Sequence, residues 1–297
     1  MIQPRRVRDL LLADGPQPHL SAASALVQVA GTLYVVADDQ LHLGVFSAAG
    51  EAPGHLLRLF DGELPTDKDE RKARKPDLEC LALLPPLPGF AHGALLALGS
   101  GSQDNRQRAV LLALDGAGQI SGAPRLLDLA PLYRPLRERF GDLNIEGAFL
   151  LGDEFVLLQR GNQGQACNAR LRYSWAALQA WLLGLQAQAP AAVIEVIELG
   201  ELAGVALGFT DGAALADGRW LFSAAAEDTA DSYRDGACLG AVIGLVETDG
   251  QVRRLAELDG RWKVEGIALA ADGRLLLVTD ADDPQRAASL LELQLEL

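Results

Sequence analysis

Four carboxylates in this chain stand in the same short context: an acidic residue, a small residue, then an apolar run. Glu79-Cys80-Leu81, Glu146-Gly147-Ala148, Asp211-Gly212-Ala213 and Glu265-Gly266-Ile267 carry it, and Ser24-Ala25-Leu26 is a fifth copy with a hydroxyl in place of the acid. Carboxylates gathered by a repeat repel one another unless a cation, protons or basic side chains compensate them. An oxygen-only set suits calcium or another hard divalent cation rather than zinc, so Glu79, Glu146, Asp211 and Glu265 are the candidate metal ligands. Lys75 and Lys263 stand just ahead of Glu79 and Glu265 and supply the alternative, an ion-pair network without a metal.

A second polar set ends the apolar run that follows each copy: Asp38-Asp39, Gly99-Ser100-Gly101-Ser102, Gln159-Arg160-Gly161-Asn162, Ala226-Glu227-Asp228 and Thr279-Asp280. In an antiparallel hairpin the end of the second strand lies beside the start of the first, so both sets should ring one mouth. Glu146, Glu265, Arg160 and Lys75 are the candidate catalytic residues there. Asp38, Ser100, Asn105, Arg106, Asn162, Glu227, Lys263 and Asp280 are the candidate ligand-binding residues. Acids and guanidinium groups together suit a small polar molecule such as a sugar, an acid or a phosphate ester. Three readings stay open. One is a hydrolase whose metal polarises an ester, lactone or phosphoester; another is a metal-free glycoside hydrolase using two carboxyls; the last is a non-catalytic binder of a metabolite or a protein.

The elements that must position these residues are hairpins. Each phrase is followed by a turn and a second apolar run, Leu33–Ala37, Ala94–Leu98, Glu154–Leu158, Arg219–Phe222 and Arg274–Val278. A hairpin recurring at this spacing predicts an all-β chain: a single β-propeller domain over residues 1–297 with five four-stranded blades, a count of six staying open. After the last hairpin only Ser289–Leu295 remains strand-like, and Arg6–Leu12 supplies the missing outer strand, so an N-terminal strand closes the ring. Pro131–Phe140 and Tyr173–Ala187 break the rhythm as helices. The second carries Trp175, Leu178, Trp181, Leu182 and Leu185 on one face, which fits packing against a blade or, alternatively, a lid over the axial site.

The chain has 297 residues, 49% hydrophobic, with a formal charge of −14. That charge disfavours nucleic acid and anionic membrane as partners. No apolar segment approaches the roughly 18 residues of a membrane span, and no signal peptide is evident. Three cysteines, Cys80, Cys167 and Cys238, lack metal-type spacing, and Cys80 reads as a buried reduced thiol, so the expected location is a reducing cytoplasm. The four histidines, His19, His42, His55 and His92, lie outside the repeat positions, which argues against nucleophile–histidine catalysis. Oligomeric state is not legible.

Several motifs together resemble an uncharacterised bacterial propeller family, a domain of unknown function. They are Lys75-Pro76-Asp77-Leu78-Glu79, Gly99-Ser100-Gly101-Ser102 with Asn105-Arg106, Asn144-Ile145-Glu146-Gly147, Gln159-Arg160-Gly161-Asn162, Gly208-Phe209-Thr210-Asp211, Ala226-Glu227-Asp228 with Tyr233 and Asp235-Gly236, and Lys263-Val264-Glu265-Gly266. That resemblance implies a propeller and no established activity. More distantly, the hairpin phrase is similar to esterase-like phytase domains and calcium-dependent lactonase propellers. Those relatives imply ester or lactone hydrolysis at an axial metal, with Glu79, Glu146, Asp211 and Glu265 in the corresponding positions.

Overall fold

The second strand of each hairpin is apolar on both sides because each sheet is sandwiched between two neighbours, and an uninterrupted apolar run is what burial on both faces demands. Thr32–Ala37 and Ala94–Gly99, for example, are buried at every position, whereas the outer strand Val193–Val196 has no buried residue. The computed structural model describes residues 2–13, 17–165, 167–231, 236–258 and 262–295. Tyr233 and Asp235 of the sequence motifs lie outside these.

Strand β1 (Arg5–Asp9) precedes the first sheet, which comprises β2 (Ala23–Val29), β3 (Thr32–Ala37), β4 (His42–Ser47) and β5 (His55–Arg58). Helix α1 (Lys68–Arg74) leads to β6 (Leu78–Leu84), β7 (Ala94–Gly99), β8 (Arg108–Leu114) and β9 (Ile120–Asp128). Helix α2 (Ala130–Arg139) precedes β10 (Ile145–Leu151), β11 (Glu154–Gln159) and β12 (Ala169–Ser174), and α3 (Trp175–Leu182) links these to β13 (Val193–Val196). The fourth sheet holds β14 (Glu201–Leu202), β15 (Val205–Ala214), β16 (Trp220–Asp228), β17 (Ala237–Val246) and β18 (Val252–Glu257). The fifth runs β19 (Val264–Leu269), β20 (Leu275–Thr279), β21 (Ser289–Leu293) and then β1.

This is a five-bladed β-propeller. Its inner strands β2, β6, β10, β15 and β19 contact one another in turn around the axis, and β19 returns to β2. The fourth blade differs from the expected four strands by the two-residue β14 on its inner edge. Closure is as the sequence suggests, with Arg5 opposite Glu292 and Asp9 opposite Ser289. Among the described residues the core divides into five apolar clusters, each filling the wedge between adjacent blades. Cys80 is a free, buried thiol in the wedge between blades two and three.

Both anticipated helices pack into that same wedge, through Leu132, Tyr133 and Leu136 of α2 and Leu178 and Leu182 of α3. Helix α3 lies on β11 and β12 at the side of blade three, not over the axis. It is also shorter than Tyr173–Ala187: Gly184, at φ 74°, ends it, leaving Leu185 exposed. No helix among the described residues is long and apolar enough to cross a membrane.

Every inner strand carries a one-residue slip against its hairpin partner at the same level. Ser24, Glu79, Glu146, Thr210 and Glu265 are the unpaired residues, each skipped as the ladder passes from one neighbour to the next. Such a bulge bends the strand and re-aims the extra side chain. In four of the five blades the residue after the bulge is small, Ala25, Cys80, Gly147 or Gly266, where strands from adjacent blades nearly touch: a Cβ on Gly266 would lie 2.7 Å from the Ala25 Cα, and one on Gly147 would lie 3.2 Å from the Asp211 Cα. Gly266→Val should therefore destabilise the fold by about 1–3 kcal/mol in denaturant unfolding. Gly31→Ala, with nothing within 4 Å of its added Cβ, should change stability by no more than about 0.5 kcal/mol.

Candidate functional site

The five bulges decide which residues face the mouth of the ring. Ser24, Glu79, Glu146 and Glu265 line a cavity of about 370 Å³ there, within the range of small-molecule sites. In blade four the repeat must be realigned by one residue: the bulged position is Thr210, whose hydroxyl bonds Ser223 Oγ at 2.8 Å. Asp211 occupies the small-residue position instead. Its carboxylate accepts from Gly212 N at 2.7 Å and from Ile267 N at 2.9 Å, joining β15 to β19, and it does not line the cavity.

Because side chains in a strand share a face every second residue, the residue two before each bulge should also reach the mouth. Ala22, Asp77, Asn144 and Lys263 do so. The fourth such position is Gly208, where a Cβ would meet Gly161 O at 2.7 Å and the Arg160 Cγ at 2.9 Å, so the missing side chain makes room for Arg160.

Arg160 organises one half of the cavity. Its Nη2 bonds Glu227 Oε2 at 2.6 Å, while Nη1 lies 3.4 Å from Glu146 Oε1 and 3.6 Å from Glu265 Oε2. Asn144 Nδ2 donates to the same Glu146 oxygen at 2.5 Å. Lys263 Nζ lies 3.3 Å from Glu265 Oε1, 2.7 Å from Asp282 and 3.7 Å from Asp280. In the other half Lys75 pairs with Asp38 and, at 2.8 Å, with Asp77 Oδ1, whose second oxygen receives Arg106 Nη1 at 2.8 Å and the Ser100 hydroxyl at 2.5 Å.

Burial sets the protonation of these groups. It pushes the Glu146 carboxyl up to about 8, with Arg160 opposing and Glu265 and Asp77 adding to the rise. Burial also lifts Glu79 well above the carboxylate range, reinforced by Glu146, Asp77 and Asp38, and raises Glu265 against the pull of Lys263 and Arg160. Asp77 goes the other way: burial works to raise it, but Lys75 and Arg106 hold it below its ordinary value. Lys75 and Lys263 resist the lowering effect of burial because carboxylates surround them, and their pKa values rise.

The fold thus brings Lys75, Glu79, Glu146, Arg160, Glu265, Asp38, Arg106, Asn162, Glu227, Lys263 and Asp280 to one cavity. Two further expected residues support it from behind. Ser100 is fully buried on Asp77, and Asn105 donates to the Lys75 carbonyl at 2.9 Å. Asn162 also orders its own loop, donating to Asp142 at 2.6 Å. Asp77 and Asn144, named only within longer motifs, were not singled out as site residues, and helix α1 was not anticipated. The first two were readable from period-2 alternation, and α1 from Asp67 as a cap before two acids and a basic last turn.

Among the described residues, the acidic set close enough to share a metal ion is Asp38, Asp77 and Glu79, whose ligand oxygens lie within 4.8 Å of one another, rather than the expected ring of Glu79, Glu146, Asp211 and Glu265. An ammonium already serves two of them: Lys75 is bonded to both Asp38 and Asp77. A divalent ion would have to displace it.

The chain belongs to a family of unknown function (DUF6929), whose profile matches residues 19–295. Curated proteins yield no match. Among solved structures, the chain is similar to a luciferin-regenerating enzyme at 10% identity and TM-score 0.49, covering 93% of this chain and 92% of that one. It is similar to a PQQ-bound aldose sugar dehydrogenase from Streptomyces coelicolor at 14% identity and TM-score 0.47, with 98% of each chain covered. The WD40 repeats of RRP9 align at 9% identity and TM-score 0.45, covering 99% of this chain and all of that one. A shared activity does not follow at such identities.

The raised Glu146 has a sign in stability. Between about pH 4.5 and 8 the folded chain keeps a proton that the unfolded chain has released, so this group makes stability fall as pH rises through that window, by at most about 1.4 kcal/mol per pH unit. Unfolding curves of Glu146→Gln across this range should be flatter than those of the parent; equal slopes would refute the assignment. Asp77→Asn, which leaves Lys75 and Arg106 facing a neutral group, should cost about 3–5 kcal/mol at pH 7.

Proposed function

We propose that the cavity hydrolyses a small, hydroxyl-rich molecule by carboxyl acid–base chemistry, with Glu146 as proton donor and Glu265 as the carboxylate that activates water. The carrying observation is that both carboxyls flank one guanidinium, Arg160 Nη1, at 3.4 and 3.6 Å. The two oxygens therefore lie no more than about 7 Å apart, close enough for a carboxyl pair to flank one scissile bond.

Their environments divide the roles. Glu146, with a pKa near 8, carries its proton at neutral pH and would deliver it to the leaving oxygen of a glycoside, ester or lactone. Glu265, held by Lys263, has a buried Oε2 that accepts no hydrogen bond from the described residues, so its acceptor capacity is uncommitted. Arg160 spans both and stabilises the negative charge that appears as Glu146 gives up its proton. Free thiols at Cys80, Cys167 and Cys238 support a reducing compartment, and the acid-rich lining supports a small molecule rather than nucleic acid as partner.

A second reading, a divalent ion such as calcium acting as Lewis acid on an ester, lactone or phosphoester, is favoured by the Asp38, Asp77 and Glu79 spacing alone. The deciding experiment is turnover of a panel of aryl glycosides, lactones, esters and phosphoesters, with and without chelator. Acid–base hydrolysis expects activity unaffected by chelator and a kcat lowered about 10²–10⁴-fold in Glu146→Gln without loss of melting temperature. Loss of activity with chelator, restored by calcium, would move the chemistry to the metal reading. Absence of turnover across the panel, with ligand-induced stabilisation, would leave a binding protein.

A further inference from the structure

Blade one is the side of the cavity with room and with unused hydrogen-bonding capacity. At the two levels where blades two, three and five present Asp77 and Glu79, Asn144 and Glu146, and Lys263 and Glu265, it presents only Ala22 and Ser24. The segment leading into it is fixed against blade five: Ala22 bridges Asp280, Ala288 N donates to Leu20 O at 2.7 Å, and His19 Nε2 lies 3.1 Å from Pro284 O. Three buried polar atoms of residues lining the cavity there have no hydrogen-bond partner among the described residues: Gln17 Oε1, Ser21 Oγ and Asp39 Oδ1. Ser21 is only 2% exposed, and a hydroxyl at that depth is ordinarily bonded. The hairpin brings two of the three together, since Asp38 N donates to Ala22 O at 3.3 Å and Ser21 and Asp39 are the next residues on either side.

A carboxylate or amide oxygen only accepts, and a serine hydroxyl can accept, so the group that satisfies all three is a donor. Charge selects which donor. Asp38, Asp39, Asp280, Asp282 and Asp283 line this seam, against Arg71, Lys75 and Lys263, and the excess of carboxyls favours a cation over a neutral hydroxyl. Asp39 keeps Arg71 at 3.4 Å on Oδ2, which leaves Oδ1 to a ligand. Burial and Asp38 push the Asp39 carboxyl up to about 6 against Lys75, Arg71 and the Gln40 side chain, and a cation at Oδ1 would relieve the same repulsion. An alkylammonium brings three N–H donors to three acceptors. We propose that the seam of blades one and five is an ammonium subsite: the molecule taken by this cavity, an amino sugar or amino alcohol, bears a protonated amine that donates to Gln17 Oε1, Ser21 Oγ and Asp39 Oδ1 while its hydroxyl-bearing portion faces Glu146 and Glu265. This rests on the reading of the cavity as the substrate site.

Calorimetric titration with glucosamine, N-acetylglucosamine, glucose and ethanolamine tests it without turnover. Glucosamine should bind at least about ten-fold more tightly than glucose or N-acetylglucosamine, the difference between a charge-assisted and a neutral hydrogen bond, and should weaken with added salt. Asp39→Asn, which removes the charge and keeps an acceptor, should bring glucosamine down to the level of glucose. Gln17→Glu, which adds a charge at an unused acceptor, should tighten glucosamine and leave glucose unchanged. Glucose bound as tightly as glucosamine, a preference intact in Asp39→Asn, or no binding of either amine into the tens of millimolar would overturn the subsite. Ethanolamine bound by the parent and lost in Asp39→Asn, with no sugar bound, would keep the subsite and remove the hydroxyl-rich reading. Turnover of a neutral substrate with no preference for an amine would do the reverse.

Discussion

The site depends on a backbone constraint at the axis. Five inner strands must approach one another closely enough to seal the ring, which forces small residues into contact just below the mouth, as Gly266 meets Ala25 and Gly147 meets Asp211. A regular strand running straight into that contact would point its preceding side chain into a neighbour's backbone. The bulge leaves one residue unpaired and re-aims its side chain into the cavity at the mouth. Position, burial and mutual proximity of Glu79, Glu146 and Glu265 all follow from that one slip. The carboxyls did not have to be gathered by loops; the ladder places them.

Gathering acids in a shielded space creates the second constraint, charge. The protein meets it with cations drawn from nearby positions: Lys263 two residues and Lys75 four residues before a bulge, Arg160 from the end of one second strand and Arg106 from the loop beyond another. Where the cations fall short, protons complete the compensation, as at Glu146 and Glu79. Lys75 therefore occupies, between Asp38 and Asp77, the place that a divalent ion would take in an otherwise similar acidic cluster.

The architecture was legible because the repeat is written in the apolar pattern: blades buried on both faces leave uninterrupted runs, and the N-terminal strand is needed once the last blade runs short. The cavity was legible for the same reason, since both polar tiers are tied to strand ends. What failed was register. In blade four, Thr210-Asp211-Gly212 offers an acid one residue late, and an acid in the expected phrase outweighed the phase of the strand, although Asp211 serves as a backbone acceptor between blades. Helix α1 was hidden because it has no apolar stripe, and hydrophobic periodicity cannot reveal an element held only by polar contacts.

The pairing of β1 with β21 has a consequence for how the chain assembles. The contact between Arg5 and Glu292 spans 287 residues, so the first strand of the propeller waits for the last before it has a partner. Blades one to four can form from local hairpins as they emerge, but the ring stays an open crescent until then, with the apolar edges of the first and last blades uncovered. Loop-closure entropy makes such a step slow relative to the hairpins. The interval before closure is when a newly made chain is most exposed to pairing with a second copy of itself, and a strand exchanged there would yield a dimer whose rings are each completed by the other's β1.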